Sequence, residues 1–403
     1  MDELTGQFVI TLSLIIETNN TNAHDYFIPT LDTITIENYI RPLQIWCPLL
    51  NESFMACFLT RFKLEYHLSL LYDYFLLANG VFASGLKSVF YQDTRRPLTL
   101  SLNDNKAHIW PPRSFDLNMV LRALLLESSS SSQDLVTFAV RKDSSTKRWA
   151  NPNAVEALDF LYLSYDPRYP LNVLINPPII DKYNRIFTFL LRLQRAMYIT
   201  KEIHKVLILR AKIGYWKGEF RDDVLHKYRF EFDQFISGFQ GYVHDSVINL
   251  TWSHFMYQVK EMKHHTEDMP SDLMEPSTFR EFHEHILDRI LFQCFLKQSQ
   301  QRVYKMFLPI LEDLFAFADC IENEKNESRL LIKCQSIHTR FTEHRSKFIG
   351  TLIQVEKDGS GRLYNILNST NNNRFQYLFV NQGELDVFVR DLLTRLCADT
   401  EYK

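Results

Sequence analysis

Histidine and acidic side chains are the residues of this chain that could hold a metal ion. His283 and His285 flank Glu284, but a helical zinc site needs two histidines one turn apart, at positions i and i+4. His264 and His265 begin a polar stretch with acidic neighbours, which would form at best an opportunistic surface site. We therefore expect no functional metal site and no cofactor.

Motifs for nucleotide binding and nucleophilic catalysis are incomplete. Gly359-Ser360-Gly361 lacks the third glycine and the GK[ST] ending of phosphate-binding loops. The chain contains no GxSxG sequence, and the carboxylate pair Asp222-Asp223 lies in charged, hydrophilic sequence, where solvation is the simpler reading. The sequence therefore predicts that the protein is not an enzyme.

The composition indicates which elements position these side chains. Only 11 glycines and 14 prolines occur among 403 residues, whereas average usage of about 7% and 5% would give roughly 28 and 20. This shortage argues against turn-rich folds such as doubly wound nucleotide-binding sheets, TIM barrels and propellers. With 46% apolar and 23% charged residues, the chain can bury a large core. Long helices with few connections are the expected architecture.

Apolar residues recur at helical spacing along most of the chain. The clearest stripe indicates one helix of about forty residues, with the members Leu225, Tyr228, Phe232, Phe235, Phe239, Tyr242, Ile248, Trp252, Phe255 and Val259. Such a stripe is typical of the core of a helical bundle. Gly238 and Gly241 lie inside it, and glycine costs roughly 1 kcal/mol in a helix interior. We therefore expect another helix to pack closely there.

Four other stretches also have helical periodicity, namely 65–90, 181–209, 279–318 and 384–396. The first divides at Ala78-Asn79-Gly80, where Asn-Gly can supply the left-handed conformation of a helix end. The second follows Pro177-Pro178, and proline is tolerated at a helix start. The predicted fold class is all-α, an elongated bundle of long helices.

Length alone suggests two or three domains of about 150 residues, but the polar stretches are too short to separate them. The organisation we expect is a lead-in over 1–34 and one helical domain over 35–403, with loop insertions near 127–150, 264–278 and 357–375. The serine run 128–132 is expected to be a plain linker, with phosphorylation as the alternative.

The net charge of −3 gives no reason to expect a nucleic-acid partner. Residues 181–217, however, carry nine Lys or Arg against two acids. This basic stretch has two interpretations, a solvated helix face or a surface for an acidic protein partner.

The cysteines and the apolar segments bear on the compartment. Six scattered cysteines without a CxxC pair indicate reduced, mostly buried thiols of an intracellular protein. The apolar run Phe8–Ile16 is too short to span a bilayer. We expect a soluble protein of the cytoplasm without membrane insertion.

Short motifs follow one another along the chain in a fixed order. Residues 67–82 (HLSLLYDYFLLANGVF), 110–118 (WPPRSFDLN), 169–175 (YPLNVLI) and 182–193 (KYNRIFTFLLRL) come first, and 392–396 (LLTRL) closes the series. This series resembles the gamma-tubulin complex proteins, in which W-P-L-x-x-V-I precedes K-Y-x-x-[IL]-F-x-[FY]-L-L and L-L-x-R-L ends the chain.

The resemblance extends from about residue 35 to the end and corresponds to the C-terminal half of such proteins, the helical domain that binds gamma-tubulin. It implies non-enzymatic binding of gamma-tubulin as a subunit of a ring complex that templates microtubule nucleation. The implied partners are gamma-tubulin and other gamma-tubulin complex proteins. The implied location is the cytoskeleton at a microtubule-organising centre, a spindle pole body or a centrosome. The N-terminal half of such proteins would be missing.

Departures from the family pattern bear on the subunit. Tyr169 replaces the usual tryptophan, Ala78 and Val81 depart from the L-L-G-x-G element, and Cys397-Ala398 replace an Asp-Phe pair. They favour a divergent ring subunit, component six ahead of component five or four.

Candidate gamma-tubulin contacts come from three places, namely the helix break, the basic stretch and the C-terminus. They are Gly80, Phe82, Arg192, Arg195, Arg395 and Tyr402. Each also has a purely structural interpretation: the aromatic residues could be core, Gly80 could end a helix, and the arginine stems could cover a helix flank.

A second hypothesis fits composition and periodicity equally well. The chain could be a helical scaffold or tether that binds a coiled-coil or membrane-associated partner and no tubulin. Only the ordered motifs favour the first hypothesis.

Overall fold

The computed structural model describes residues 35–91, 114–128, 135–140, 154–212, 223–264, 275–324, 326–357 and 383–397. The lead-in 1–34 and Tyr402 lie outside these ranges, as do Gly359 and Gly361. Most of each predicted loop insertion lies outside them too. The expectations for these segments therefore stay predictions.

The described chain is built mainly of helices. A π-helical turn at Ile36–Ile40 leads into α1. The α-helices in chain order are α1 (Arg41–Thr60), α2 (Leu64–Phe75), α3 (Gly80–Tyr91), α4 (Ser114–Ser128), α5 (Pro177–Lys212), α6 (Asp223–Gly241), α7 (Leu250–His264), α8 (Pro276–Gln293), α9 (Gln301–Asn323), α10 (Glu327–Lys357) and α11 (Gly383–Leu396). Two strands, β1 (Val136–Val140) and β2 (Leu161–Tyr165), lie between α4 and α5. The all-α fold class is confirmed, apart from this small sheet.

The described residues group into two compact units. The first draws on 1–63 and 261–279, and the second on 64–260 and 280–403. In the first unit, Met55, Phe58 and Leu59 are buried. Within the described ranges, no helix is both long and apolar enough to cross a membrane.

The small sheet is one of the elements that the helical periodicity does not predict, together with α1, α4 and α10. β1 and β2 pair antiparallel, with Val136 opposite Tyr165 and Val140 opposite Leu161. The backbone of each strand is hydrogen-bonded by an asparagine side chain that lies on a helix. On α4, the side-chain oxygen of Asn118 accepts from the Phe138 amide at 2.8 Å. On α5, Asn184 accepts from the Leu163 amide and donates to its carbonyl, both at 2.9 Å. The side-chain amide of Asn184 thus replaces a neighbouring strand.

The predicted forty-residue helix forms the core of the second unit. It runs through α6, a π-helical segment (Tyr242–Asn249) and α7. Every predicted stripe member except Tyr228 is buried. Phe232 packs on Phe341 of α10 at 4.0 Å between ring centroids, and Phe239 stacks on Phe307 of α9 at 4.4 Å. These ring contacts fix α9 and α10 against α6.

The close approach expected at Gly238 and Gly241 is confirmed. A Cβ at Gly238 would lie 3.1 Å from the carbonyl oxygen of Arg395 on α11, and one at Gly241 would lie 3.1 Å from its guanidinium Nη1. The terminal helix therefore packs directly on the backbone of α6.

The division between α2 and α3 is confirmed at the predicted place, but its mechanism differs. Leu77 takes the left-handed conformation, with φ of 54°. Asn79 instead caps α3, because its side-chain oxygen accepts from the amides of Val81 at 3.0 Å and Phe82 at 3.1 Å. Asparagine is favoured at such a cap since it satisfies amides that have no helical partner.

Replacement of the cap should destabilise α3. We expect Asn79→Ala to lower the free energy of unfolding by about 1 kcal/mol, whereas Asn79→Asp should retain most of it. Chemical denaturation of both variants measures the difference, and equal stability of Asn79→Ala and wild type would contradict the capping role.

Two helical glycines give a matched test of the α6–α11 packing. Gly238→Leu should lower the free energy of unfolding by about 1–3 kcal/mol, because the leucine side chain has no room beside Arg395. A Cβ at Gly350 in α10 meets no described atom within 4 Å. Gly350→Leu should therefore raise the free energy of unfolding by up to about 1 kcal/mol, because leucine has a higher helix propensity than glycine. Thermal denaturation distinguishes the two, and a loss of similar size in both would refute the close packing.

Candidate partner-binding surface

The basic stretch is placed on α5, but much of its charge is used inside the second unit. Lys182 forms ion pairs with Glu284 and Asp288 on α8, each at 3.2 Å. Arg185 donates to the carbonyl oxygen of Leu296 at 2.7 Å. These contacts join α5 to α8 and to the connection that follows it.

Arg192 is the most strongly held of these bases. Its Nε and Nη2 atoms donate to both carboxylate oxygens of Asp159, the first at 2.9 Å, and Nη1 donates to the hydroxyl of Tyr304. Only 13% of its side chain is exposed. Burial, the largest single effect, lowers its pKa, but the hydrogen bond to Asp159 and the charges of Tyr304, Asp159 and Glu156 together raise the pKa above its ordinary value. Arg192 thus connects α5, α9 and the segment before β2.

Arg195, one turn further along α5, has a similar structural role. Its Nη1 atom donates to the carbonyl oxygen of Ala154 at 2.6 Å, and its guanidinium carbon lies 4.7 Å from the ring centroid of Phe315. Both side chains are therefore half-buried and turned toward internal partners, which agrees with the structural interpretation of these two arginines. The more exposed bases of α5 are Arg185, Lys201, Lys205 and Lys212.

The two candidate residues at the helix break differ in exposure. Phe82 is 0% exposed and meets Tyr74 edge to face at 4.9 Å between ring centroids. Gly80 is exposed at the first position of α3, where an added Cβ meets no described atom within 4 Å. Val81 beside it is 52% exposed. Phe82 can therefore act on a partner only by supporting the surface that Gly80 and Val81 form.

Arg395 links α11 to the π-helical segment through polar contacts. Its guanidinium contacts Asp245 and Asp391 at 3.3 Å and the hydroxyl of Ser246 at 3.2 Å. Ser246 in turn donates to Asp391 at 2.6 Å. The side chain is 33% exposed, so part of it faces solvent. The predicted residues form local groups at the start of α3, on α5 and on α11.

Sequence reasoning missed the most exposed aromatic residue of the described second unit. Tyr169 is 83% exposed in the connection between β2 and α5, while the following Leu171, Leu174 and Ile175 are buried. Val173 beside it is 47% exposed. In the sequence, Tyr169 stands out only as a departure from the family tryptophan. An aromatic ring held out to solvent by a buried anchor is typical of a protein-binding surface.

A cavity of about 320 Å³ opens beside the basic stretch. Its wall includes Arg185 and Arg192 from α5 and Tyr304 from α9, and the α8–α9 connection contributes Phe295 and Lys297. This connection is conformationally unusual. Phe295 ends α8 in the left-handed region, with φ of 60°, a position that glycine normally occupies.

The hydrogen bonds around Phe295 form a Schellman motif. The Phe295 amide donates to the carbonyl of Phe292 at 3.0 Å, and the Leu296 amide donates to Leu291 at 2.8 Å. Phe295 is buried, and its ring lies 6.1 Å from that of Phe388 on α11. Burial of the ring thus holds a backbone conformation that is unfavourable for phenylalanine.

One of the histidines considered for metal binding, His283, is a core residue. The ring of His283 is fully buried, stacks on Phe255 at 5.2 Å between centroids, and its Nε2 atom lies 2.7 Å from the hydroxyl of Tyr183. Burial and the charge of Lys182 lower its pKa to about 3. Among the described residues, no three His, Cys, Asp or Glu side chains gather closely enough to hold a metal ion.

The cysteines are only partly as predicted. None of the six forms a disulfide bond. Cys294 and Cys334 are buried and three are half-buried, but Cys47 is exposed. The sulfur atoms of Cys320 and Cys334 lie 3.8 Å apart across α9 and α10.

A helical unit with an exposed aromatic residue, an exposed helix start and a cationic cavity has the surface features expected of a protein-binding module. The model of the family described as gamma tubulin complex component C-terminal matches residues 64–396. The chain therefore belongs to this family. The match begins at Leu64, the residue at which the second compact unit begins.

Curated relatives agree with this family. The chain is 25% identical to human gamma-tubulin complex component 6 over 240 residues, which cover 56% of the chain and 12% of that protein. Mouse component 4 is 26% identical over 34% of the chain and 18% of its own length. Spindle pole body component 98 of Dictyostelium discoideum is 25% identical over 68% of the chain and 32% of its own length. The chain thus spans a minor part of each relative.

The depressed pKa of His283 predicts a pH-dependent stability. The pKa of histidine in the unfolded chain is about 6.5. As the pH falls from 6.5 toward 3, His283 is therefore protonated in the unfolded chain but stays neutral in the folded chain, and the free energy of unfolding decreases. His283→Gln should flatten the decline of unfolding free energy between pH 6.5 and 4.5 by up to about 1.4 kcal/mol per pH unit. Urea denaturation across this range measures the slope, and an unchanged slope would contradict the buried neutral state.

Proposed function

We propose that this chain binds gamma-tubulin as a non-enzymatic subunit of a gamma-tubulin complex, and that it thereby contributes to templating microtubule nucleation. The observation that carries the proposal is the family match over 64–396, which spans nearly all of the second compact unit. Relatives named as gamma-tubulin complex components and a spindle pole body component support it.

The physical basis of the proposed function is a preorganised surface. The aromatic core of α6, α9 and α10 and the ion pairs of α5 fix the helices before a partner arrives, which lowers the entropy cost of binding. An interface for this purpose buries about 1,200 Å² or more and depends on a few anchors. Tyr169, Val81 and Gly80 are exposed candidates for such anchors.

The predicted contact residues divide into two proposed roles. Gly80 and part of Arg395 are exposed and could contact gamma-tubulin directly. Phe82, Arg192 and Arg195 would act by holding the helices that carry the surface, because their side chains have internal partners. Tyr402 lies outside the described residues, and its contact is proposed from the family resemblance alone.

The location and the remaining partners are also proposals. We infer a place at a microtubule-organising centre, alongside other gamma-tubulin complex proteins, from the names of the relatives. Among these, component 6 matches the expected divergent subunit, and component 4 is a named alternative.

A second candidate function is binding of a helical partner other than tubulin. The π-helical turn and α1 favour it, because they expose large apolar side chains at spacings of three and four residues; these are Ile36, Tyr39, Ile40, Leu43, Leu50 and Phe54. The second function replaces the first if wild type does not bind gamma-tubulin but does bind a coiled-coil partner. The double variant Leu43→Glu/Phe54→Glu should then no longer bind that coiled-coil partner.

Direct binding tests the proposed function. The purified chain is mixed with purified gamma-tubulin at micromolar concentrations, and the mixture is analysed by size-exclusion chromatography and sedimentation velocity. A complex that contains both proteins is expected. Absence of a complex, while circular dichroism shows the chain to be helical, would contradict the proposal.

Substitution of Tyr169 tests the proposed surface. We expect Tyr169→Ala to weaken gamma-tubulin binding by roughly 2 kcal/mol, about thirtyfold, without loss of stability, because the ring is 83% exposed. Tyr257→Ala is the matched control, since Tyr257 is also an exposed tyrosine, at 58%. Equal affinities of wild type and Tyr169→Ala would exclude Tyr169 as an anchor.

A further inference from the structure

The cavity beside α5 has more positive charge than its structural contacts require. Its lining includes Arg185, Arg192 and Lys297 against the single acid Asp159, which the fork of Arg192 already occupies. The hydrogen bond that Arg185 makes goes to an uncharged carbonyl oxygen. Arg185 thus has no acidic partner in the lining, and Lys297 pairs only with Asp288, which lies behind the cavity.

Behind the cavity, Asp288 contacts two bases, of which Lys182 also pairs with Glu284. Asp288 lies 3.2 Å from the ammonium of Lys182 and 3.7 Å from that of Lys297. Burial lowers the pKa of Lys297, and repulsion by Lys182 and Arg185 lowers it further against the opposing effect of Asp288. An anion in the cavity would relieve this repulsion.

The other residues that line the cavity indicate which kind of anion it can bind. Phe189, Phe295 and Leu296 give the cavity apolar walls, and Gln298, Gln301 and Tyr304 add polar groups. The methylene stems of glutamate side chains can pack on such walls, and glutamine amides can pair with peptide backbone. Inorganic phosphate has no stem, so the apolar walls would not stabilise it.

We propose that this cavity binds an acidic peptide segment of a protein partner through its side-chain carboxylates. Arg185 offers a planar fork for one carboxylate and Lys297 a point charge for another. The buried ring of Phe295 fixes the connection that carries Lys297, and strained backbone of this kind occurs at ligand sites. The inference goes beyond the proposed function, because any partner with such a segment could occupy the cavity.

Fluorescence anisotropy with a labelled hexaglutamate peptide tests this proposal on the full chain. We expect saturable binding of hexaglutamate and none of hexaglutamine. Arg185→Gln/Lys297→Gln should weaken binding at least about tenfold. The matched control is Lys201→Gln/Lys212→Gln, which removes the same charge from exposed positions of α5 and should change affinity less than about threefold.

Several results would overturn the proposal. These are no binding of hexaglutamate to wild type at millimolar concentration, equal losses in the two double variants, or displacement by inorganic phosphate at concentrations equal to those of the peptide. A photoreactive hexaglutamate gives a test on wild type alone, in case the double variant fails to fold. Cross-links at 297–301 would support the site, whereas cross-links only elsewhere would refute it.

Discussion

Ring packing along α6 is the interaction on which the second unit depends. Phe232, Phe235 and Phe239 lie on one face and meet Phe307 of α9 and, on α10, Phe341 and Phe348. Large aromatic side chains bury much area with few rotatable bonds, so they fix helix positions at low entropic cost. Because α11 packs on the same helix at Gly238, the position of α11 depends on this core as well.

Polar side chains form hydrogen bonds with backbone groups at a helix end and in the small sheet. Asn79 caps α3, while Asn118 and Asn184 satisfy the backbone of the small sheet. On α5, Arg192 and Arg195 fix neighbouring elements rather than meeting solvent. Since Asn184 ties β2 to α5, both ends of the connection that carries Tyr169 are fixed, and the proposed interface should need little rearrangement on binding.

Most helices of the second unit could be predicted from the sequence because their apolar spacing is long and regular, as in the stripe from Leu225 to Val259. No helix is predicted at α1, α4 or α10. The close approach at Gly238 followed from the cost of glycine in a helix. The sheet could not be predicted, since the alternation over Val136–Val140 is short and its pairing with Leu161–Tyr165 depends on Asn118 and Asn184 across the chain.

The candidate site was harder to predict than the fold. Residue type and spacing do not tell whether an arginine faces solvent or a carboxylate, and Arg192 finds Asp159 through tertiary packing. Phe82 illustrates the same limit, because only the structure distinguishes a buried ring from an anchor. The exposure of Tyr169 depends on its buried neighbours, which the motif itself does not reveal.

Amide hydrogen exchange of the chain with and without gamma-tubulin tests the central claim most directly. Binding through the proposed surface predicts slower exchange in the presence of gamma-tubulin at the start of α3 and in the connection around Tyr169, with little change in the buried segments of α6. Unchanged exchange throughout the described second unit at saturating gamma-tubulin would contradict the account.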